Sequence, residues 1–263
     1  MDDAQALAKR AAKRGSAVAM DSFRRTVGIE TKAHKNDLVS EADRAAQERV
    51  IETLEAESDA AIVAEEAGAE GAVPAAGRAW AVDPIDGTAN FLRGIRTWTT
   101  SVAAVEDGRP VAAASVAPAA EDTYAAGADG TRLNGDRVGV SDRDDVETFA
   151  AAVLGWGAHG DRADYSRLAS AIVERVGDMR RFGSMQTALA FVAAGSLDAA
   201  ITTGQPNPWD SLAGVHLIRE AGGRVTDLDG AEWRHDSDAL VASNGRCHED
   251  VLAVARAAAD DWE

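Results

Sequence analysis

The apolar run Ala79-Trp80-Ala81-Val82 passes without a break into Asp83-Pro84-Ile85-Asp86-Gly87-Thr88. A run of this kind predicts a strand. The strand then delivers two carboxylates three residues apart, and Pro84 fixes the backbone between them. Gly87 and Thr88 follow, where a helix can begin. Carboxylates at a strand end are hard oxygen ligands suited to magnesium, and the backbone N–H groups of a helix start suit a phosphate. One segment thus offers a seat for a cation and a seat for an anion. That combination points to a magnesium-dependent phosphate site.

The plain alternative is an Asp-rich turn in an acidic chain. Three further clusters speak against it. Asp37-Leu38-Val39-Ser40-Glu41-Ala42-Asp43 carries Asp43 one turn into a helix expected to start at Ser40. Ile62-Val63-Ala64-Glu65-Glu66 sets two carboxylates at a strand end. Pro208-Trp209-Asp210-Ser211-Leu212-Ala213-Gly214 sets Asp210 at the start of an otherwise apolar helix.

Around these clusters the pattern predicts alternating helices and strands. Helices are expected over 3–24, 40–57, 163–176, 184–194 and 209–221, with a last one from about Cys247. Strands are expected over 61–64, 79–82, 99–105, 111–116, 123–126, 150–154, 179–182, 198–202 and 239–243. Residues 26–36 read as an exposed connection. The Asp107-Gly108 and Asn134-Gly135 steps fall where hairpin turns belong. Residues 1–145 form an N-terminal α+β half with most of the candidate ligands. Residues 146–263 form a C-terminal α/β half that carries Asp210 and the residues expected to set specificity. No repeat or Pro/Ser linker parts them, so one compact catalytic unit is expected.

Composition narrows the function further. The net charge is −17, which opposes nucleic-acid binding through a basic face and docking on anionic membranes. No apolar run reaches the length of a membrane span, and the N-terminus lacks the apolar centre of a signal peptide. A soluble cytoplasmic protein is expected. Cys247 is the only cysteine, which excludes an internal disulfide and a thiolate zinc site; it reads as a plain, half-buried thiol. Lys9, Lys13, Lys32 and Lys35 are the only lysines, and the other 23 basic residues are arginine. Acid excess with few lysines suits a high-salt cytoplasm, where screening removes self-repulsion.

The four clusters together resemble the inositol monophosphatase family of lithium-sensitive, magnesium-dependent phosphomonoesterases. Asp83–Phe91 matches its D-P-I-D-G-T-x-N-F signature, and Trp209–Gly214 matches W-D-x-x-A-G, continued by Glu220-Ala221-Gly222-Gly223. Asp37–Asp43 matches D-x-V-[TS]-x-x-D, and Glu65-Glu66 matches the E-E step. The resemblance implies a layered α-β-α-β-α sandwich, usually a homodimer, and two or three Mg²⁺ ions. It implies a first ion on Glu65, Asp83 and the Ile85 carbonyl, and a second on Asp83, Asp86 and Asp210. A third, weaker ion would face Glu65, with Lys32 and Asp43 nearby. Gly87 and Thr88 would bind phosphate through their N–H groups. Thr88, with Asp43 or Glu65, would orient the attacking water.

The match departs from the family in the residues that select substrate. Where inositol-specific members carry an acid seven positions before the W-D aspartate, this chain has Thr203. The usual G-[ST]-A-A helix start reads Gly183-Ser184-Met185-Gln186. Gly183, Ser184 and Thr203 therefore join Asp86, Gly87, Thr88 and Asp210 as candidate phosphate or substrate contacts. Gln205 and Asn207 are candidate sugar contacts. Met185 is either core filling or a wall that narrows the pocket. The expected activity is hydrolysis of a small sugar or polyol phosphate, inositol monophosphate or fructose 1,6-bisphosphate. Histidinol phosphate, 3′-phosphoadenosine 5′-phosphate and a retired regulatory homologue are the alternatives. Phosphatases with a D-x-D-G-T nucleophile are excluded because Asp83 and Asp86 lie three apart. The histidines show no ligand spacing, and His216 reads as packing or surface.

Overall fold

The structure is a computed structural model that describes residues 2–25, 32–66, 72–155 and 162–259. Five layers stack in the order α-β-α-β-α. The first holds α1 (Asp2–Ser22) and α2 (Lys32–Glu55). The second is a seven-stranded sheet of β1 (Ala61–Ala64), β2 (Arg78–Asp86), β3 (Thr99–Glu106), β4 (Arg109–Ala117), β5 (Asp122–Gly127), β6 (Gly130–Leu133) and β7 (Asp136–Arg137), in chain order. The short helix α3 (Thr88–Leu92) follows β2. Five more strands form the second sheet: β8 (Ala150–Val153), β9 (Asp178–Arg180), β10 (Ala199–Thr202), β11 (Arg224–Thr226) and β12 (Leu240–Ser243). Its order is β11-β12-β10-β8-β9. Between the sheets lie α5 (Met185–Ala193) and α6 (Pro208–Glu220). Outside the second sheet lie α4 (Arg162–Arg175) and α7 (His248–Ala259).

The strands read as unbroken apolar runs because both faces of each sheet are covered. Along β2 and β3, Trp80, Val82, Val102 and Ala104 pack under α1 and α2. Their neighbours Ala79, Ala81, Ala103 and Val105 pack against the central helices. In the second sheet, Ala152, Ala200, Leu240 and Ala242 face inward, whereas Ala151, Val153, Ile201 and Val241 face α4 and α7. The period of two thus builds three stacked cores. A smaller cluster of Phe23, Ile85, Phe91 and Trp98 sits at the end of β2, with the Phe91 and Trp98 rings edge to face at 5.0 Å.

The sequence expectations differ from the structure in a few places. Helix α2 begins at Lys32 rather than Ser40, so Ser40 lies inside the helix and is not its N-cap. No proline or glycine interrupts residues 32–40, so nothing stops the helix from extending backwards. Of the expected connection, residues 32–36 are helical and residues 26–31 lie outside the described residues. The short strands β6, β7 and β11 fall outside the expected strand spans, although Asn134-Gly135 does form the hairpin turn that joins β6 to β7; pairing with a neighbour makes them strands. Met185 packs half-buried against the central core. Cys247, expected to be half-buried, is buried. His216 is buried and, by that burial and the nearby Arg219, held down at about 4, hence neutral.

Candidate active site

Two strand-level devices bring the carboxylates together. In a regular strand, residues three apart face opposite sides. Here Asp83 lies opposite Ser101 and Asp86 opposite Thr99, so one extra residue is accommodated on β2 between them. This bulge turns both aspartates to one side, and Pro84, which has no N–H to lose, sits within it. The Thr100 hydroxyl anchors the bulge by donating to the Pro84 carbonyl at 2.7 Å. The second device is the parallel pairing of β1 with β2. Ala64 lies beside Val82, and the Glu65 N–H continues the ladder to the Val82 carbonyl at 3.3 Å, which sets Glu65 next to Asp83.

The other acids come from helices. Asp43 and Gln47 lie one turn apart on α2. Gln47 donates to the Glu66 carbonyl at 3.2 Å and accepts from the Glu66 N–H at 3.0 Å, clamping the end of β1 beside Asp43. Asp210 stands in the first turn of α6, and Asn207 donates to its Oδ2 at 2.9 Å. Asp83, Asp86 and Asp210 each offer a carboxylate oxygen, all within 4.8 Å of one another. Glu65 stands more open to solvent at the rim of this group.

Repulsion and burial show in the titration of these groups. Burial first, then Glu65 and Glu66, push Asp43 up to about 8. Burial, then the charges of Asp210 and Asp86, push Glu65 up to about 7. Asp86 is raised to about 7 by burial and Asp210, against the lowering effect of Ser184, Gln186 and Met185. Asp83 is raised most clearly, by burial and then by Glu65, Asp86 and Asp210. Neither Asp83 oxygen has a hydrogen-bond donor in the protein. A buried carboxylate with no donor costs stability unless a proton or a cation satisfies it. The donor set is all hard oxygen, which fits a divalent cation of the magnesium kind.

The turn after β2 is equally constrained. Gly87 has φ 99°, and a Cβ there would lie 3.0 Å from the Thr97 carbonyl, so the turn requires glycine. The Thr88 hydroxyl donates to the Ile85 carbonyl at 3.2 Å, so it faces the carbonyl rather than Asp43. Asn90 donates to the Thr97 carbonyl at 2.6 Å and the Phe182 carbonyl at 2.7 Å, tying α3 to the loop before α5.

Ser184 is buried, and its hydroxyl is taken up by Asp86 and Thr187. It supports the cluster rather than facing open space. Gly183 is exposed beside Asn90, and Thr203 is half-buried after β10. Lys32 is the first residue of α2; its side chain lies outside the described residues.

Gln186 was missed as a functional residue. It is fully buried. Its N–H donates to Asp86 Oδ2, its side-chain amide donates to the Trp209 carbonyl, and its amide oxygen accepts from the Gly214 N–H, each at 2.7 Å. One residue, through its backbone N–H on one side and its side-chain amide on the other, thus links Asp86 to the helix that carries Asp210. Gly214 permits the approach, because a Cβ there would overlap Leu189. The only signal in the sequence was the departure from G-[ST]-A-A, a polar residue in an apolar helix.

Fold and site together define a phosphomonoesterase that works with a metal ion. A model of the inositol monophosphatase family matches residues 1–260, and the chain belongs to that family. A relative from Thermotoga maritima, named fructose-1,6-bisphosphatase/inositol-1-monophosphatase, is 34% identical over 233 residues, covering 88% of this chain and 87% of that protein. The histidinol-phosphatase of Mycobacterium tuberculosis is 34% identical over 226 residues, covering 81% and 83%. The Nus factor SuhB of Pseudomonas aeruginosa is 34% identical over 259 residues, covering 94% of each. Among solved structures, a Thermotoga maritima IMPase superposes with a TM-score of 0.83 at 28% identity, covering 99% of both chains.

Proposed function

We propose that this chain hydrolyses a small sugar or polyol phosphate, inositol monophosphate or fructose 1,6-bisphosphate, with Mg²⁺ as cofactor. One observation carries the proposal: Asp83, Asp86 and Asp210 converge within 4.8 Å, with both Asp83 oxygens buried and without a donor. Glu65, Asp83 and the Ile85 carbonyl would hold one ion, and Asp83, Asp86 and Asp210 a second. A third would sit near Asp43, Glu65 and Lys32. Bound Mg²⁺ would lower the pKa of a water and spread the charge of the phosphoryl group.

The chain's own residues do the rest. The backbone N–H groups of Gly87 and Thr88, at the turn the glycine allows, receive the phosphate. Thr88 orients the attacking water. Glu65 is the more accessible of the raised carboxylates, so with Asp43 it is placed to take a proton from that water. Gly183 and Thr203 line the approach for the alcohol part of the substrate, and Ser184 keeps Asp86 in place. Residues 1–145 and 146–263 act as one catalytic unit, because Asp210 reaches the ligands from the first half. Homodimer assembly, a cytoplasmic location and tolerance of high salt belong to the same proposal.

Phosphate release tests it. Inositol 1-phosphate, fructose 1,6-bisphosphate, histidinol phosphate and 3′-phosphoadenosine 5′-phosphate are each incubated with Mg²⁺ or EDTA, at low and high salt. Mg²⁺-dependent release from one of the first two is expected. Release from histidinol phosphate alone would move the chain toward the relative of that name. No release from any substrate, with Mg²⁺ still bound, would favour a regulatory role.

A further inference from the structure

We infer that the cavity between α1 and the β5–β6 hairpin is a second binding site, for a small organic phosphate or similar dianion with an apolar body. The cavity measures about 450 Å³, within the range of roughly 300–1,000 Å³ common for small-molecule sites. Gln5, Lys9 and Lys13 line one wall at four-residue intervals, hence on one face of α1. Across from them, Arg132 on β6 pairs directly with Ala125 on β5. Ala6 and Ala125 are small and leave room for an apolar body.

The charge of this hollow is opposite to the chain's net charge of −17. Four cations line it, Lys9, Arg10, Lys13 and Arg132, and no acid does. Arg10 is paired with Glu57 at 2.6 Å, whereas Lys9, Lys13 and Arg132 form no ion pair among the described residues. Some surface arginines of this −17 chain do sit on acids, such as Arg109 on Glu232 and Arg224 on Glu249, each at 2.7 Å. The chain uses arginine almost everywhere, yet two of its four lysines meet here. Lysine brings a mobile point charge and arginine a flat fork, a pairing suited to a phosphate group.

The site is separate from the carboxylates. Strand β5 stands three strands from β2, roughly 14 Å across the sheet. Its sign is also opposite, so it holds an anion without any metal. The inference does not rest on the phosphatase proposal.

Phenylphosphonate, a dianion with an apolar ring and no ester to hydrolyse, is the probe. Its binding to the full chain is measured by calorimetry in EDTA, which keeps the metal-requiring site silent. One site per chain is expected, weakened by salt. Inorganic phosphate, which lacks the ring, should bind about tenfold more weakly, and K9Q/K13Q and R132Q should each weaken the probe about tenfold or more. All three side chains are exposed, and Mg²⁺-dependent turnover of these variants should stay within about twofold of the parent. Equal affinity in the variants, or no binding, overturns the inference. So does loss of binding in Asp210→Asn, which would place the probe among the carboxylates. Binding of long-chain polyphosphate without phenylphosphonate would mark a polyanion surface and also overturns it.

Discussion

Two clusters of like charge sit in this molecule, and they differ in what surrounds them. The carboxylates of Asp43, Asp83 and Asp86 are buried, while the cations of Lys9, Lys13 and Arg132 keep their heads in water. Water and salt screen the exposed cluster, so it stands at little cost. The buried one has no such screen, and every acid in it titrates far above its ordinary range. A stack of buried acids is therefore tolerated only with a counter-ion or a proton. An exposed set of cations is free to wait for a ligand.

Removing one member from each cluster separates the two cases. Asp83→Asn should lower Mg²⁺-dependent turnover by about 10³-fold or more, the scale of losing an essential group. It should at the same time raise the melting temperature of the metal-free chain, since it removes an acid that is buried without a donor and crowded by Glu65, Asp86 and Asp210. Steady-state kinetics and thermal melts in EDTA check both; a variant with near-normal turnover would remove Asp83 from the site.

Gly214→Ala should destabilise by about 1–3 kcal/mol, because its Cβ overlaps Leu189 where α5 meets α6. Urea unfolding reads this directly. Gln186→Met keeps the volume but loses both amide bonds to α6. About tenfold weaker Mg²⁺ binding by calorimetry is expected, as for other residues that orient a ligand. Unchanged affinity alongside a lowered melting temperature would leave Gln186 a purely structural residue.

The buried acids also set a pH dependence. Their folded values lie above the unfolded ones, so the folded chain holds protons more tightly. Their contribution to stability is complete below about pH 4 and is lost as pH rises through about 7 to 8. Melting temperature in EDTA should therefore fall between pH 5.5 and 8, and Mg²⁺ should restore more of it at pH 8. The smallest effect belongs to the exposed cluster. R132Q should change unfolding free energy by no more than about 0.5 kcal/mol.

Much of the fold was legible in the sequence, because apolar runs covered on both faces and amphipathic helices leave strong periodic signals. The candidate site left clusters in the sequence: Asp83, Asp86, Glu65 and Asp210 each stand at the end of an apolar element, and the first two converge with Asp210 in the fold. The short polar strands β6, β7 and β11 left no such signal, since their pairing is supplied by neighbours. The helical start of α2 was hidden by a convincing cap at Ser40.

By itself the sequence determined the layered class, the acids available and the glycine turn that follows them. Only the tertiary structure decided which of these meet. The one-residue bulge at Pro84-Ile85 turns Asp83 and Asp86 to the same side, and the parallel register of β1 sets Glu65 beside them. Gln186, 24 residues before Asp210, links the helix of Asp210 to Asp86. The two walls of the basic cavity lie more than 100 residues apart in the chain. Local patterns encode periodicity and turn chemistry. Which side a bulge faces and which distant helix an amide reaches are set by packing, and packing is a property of the whole chain.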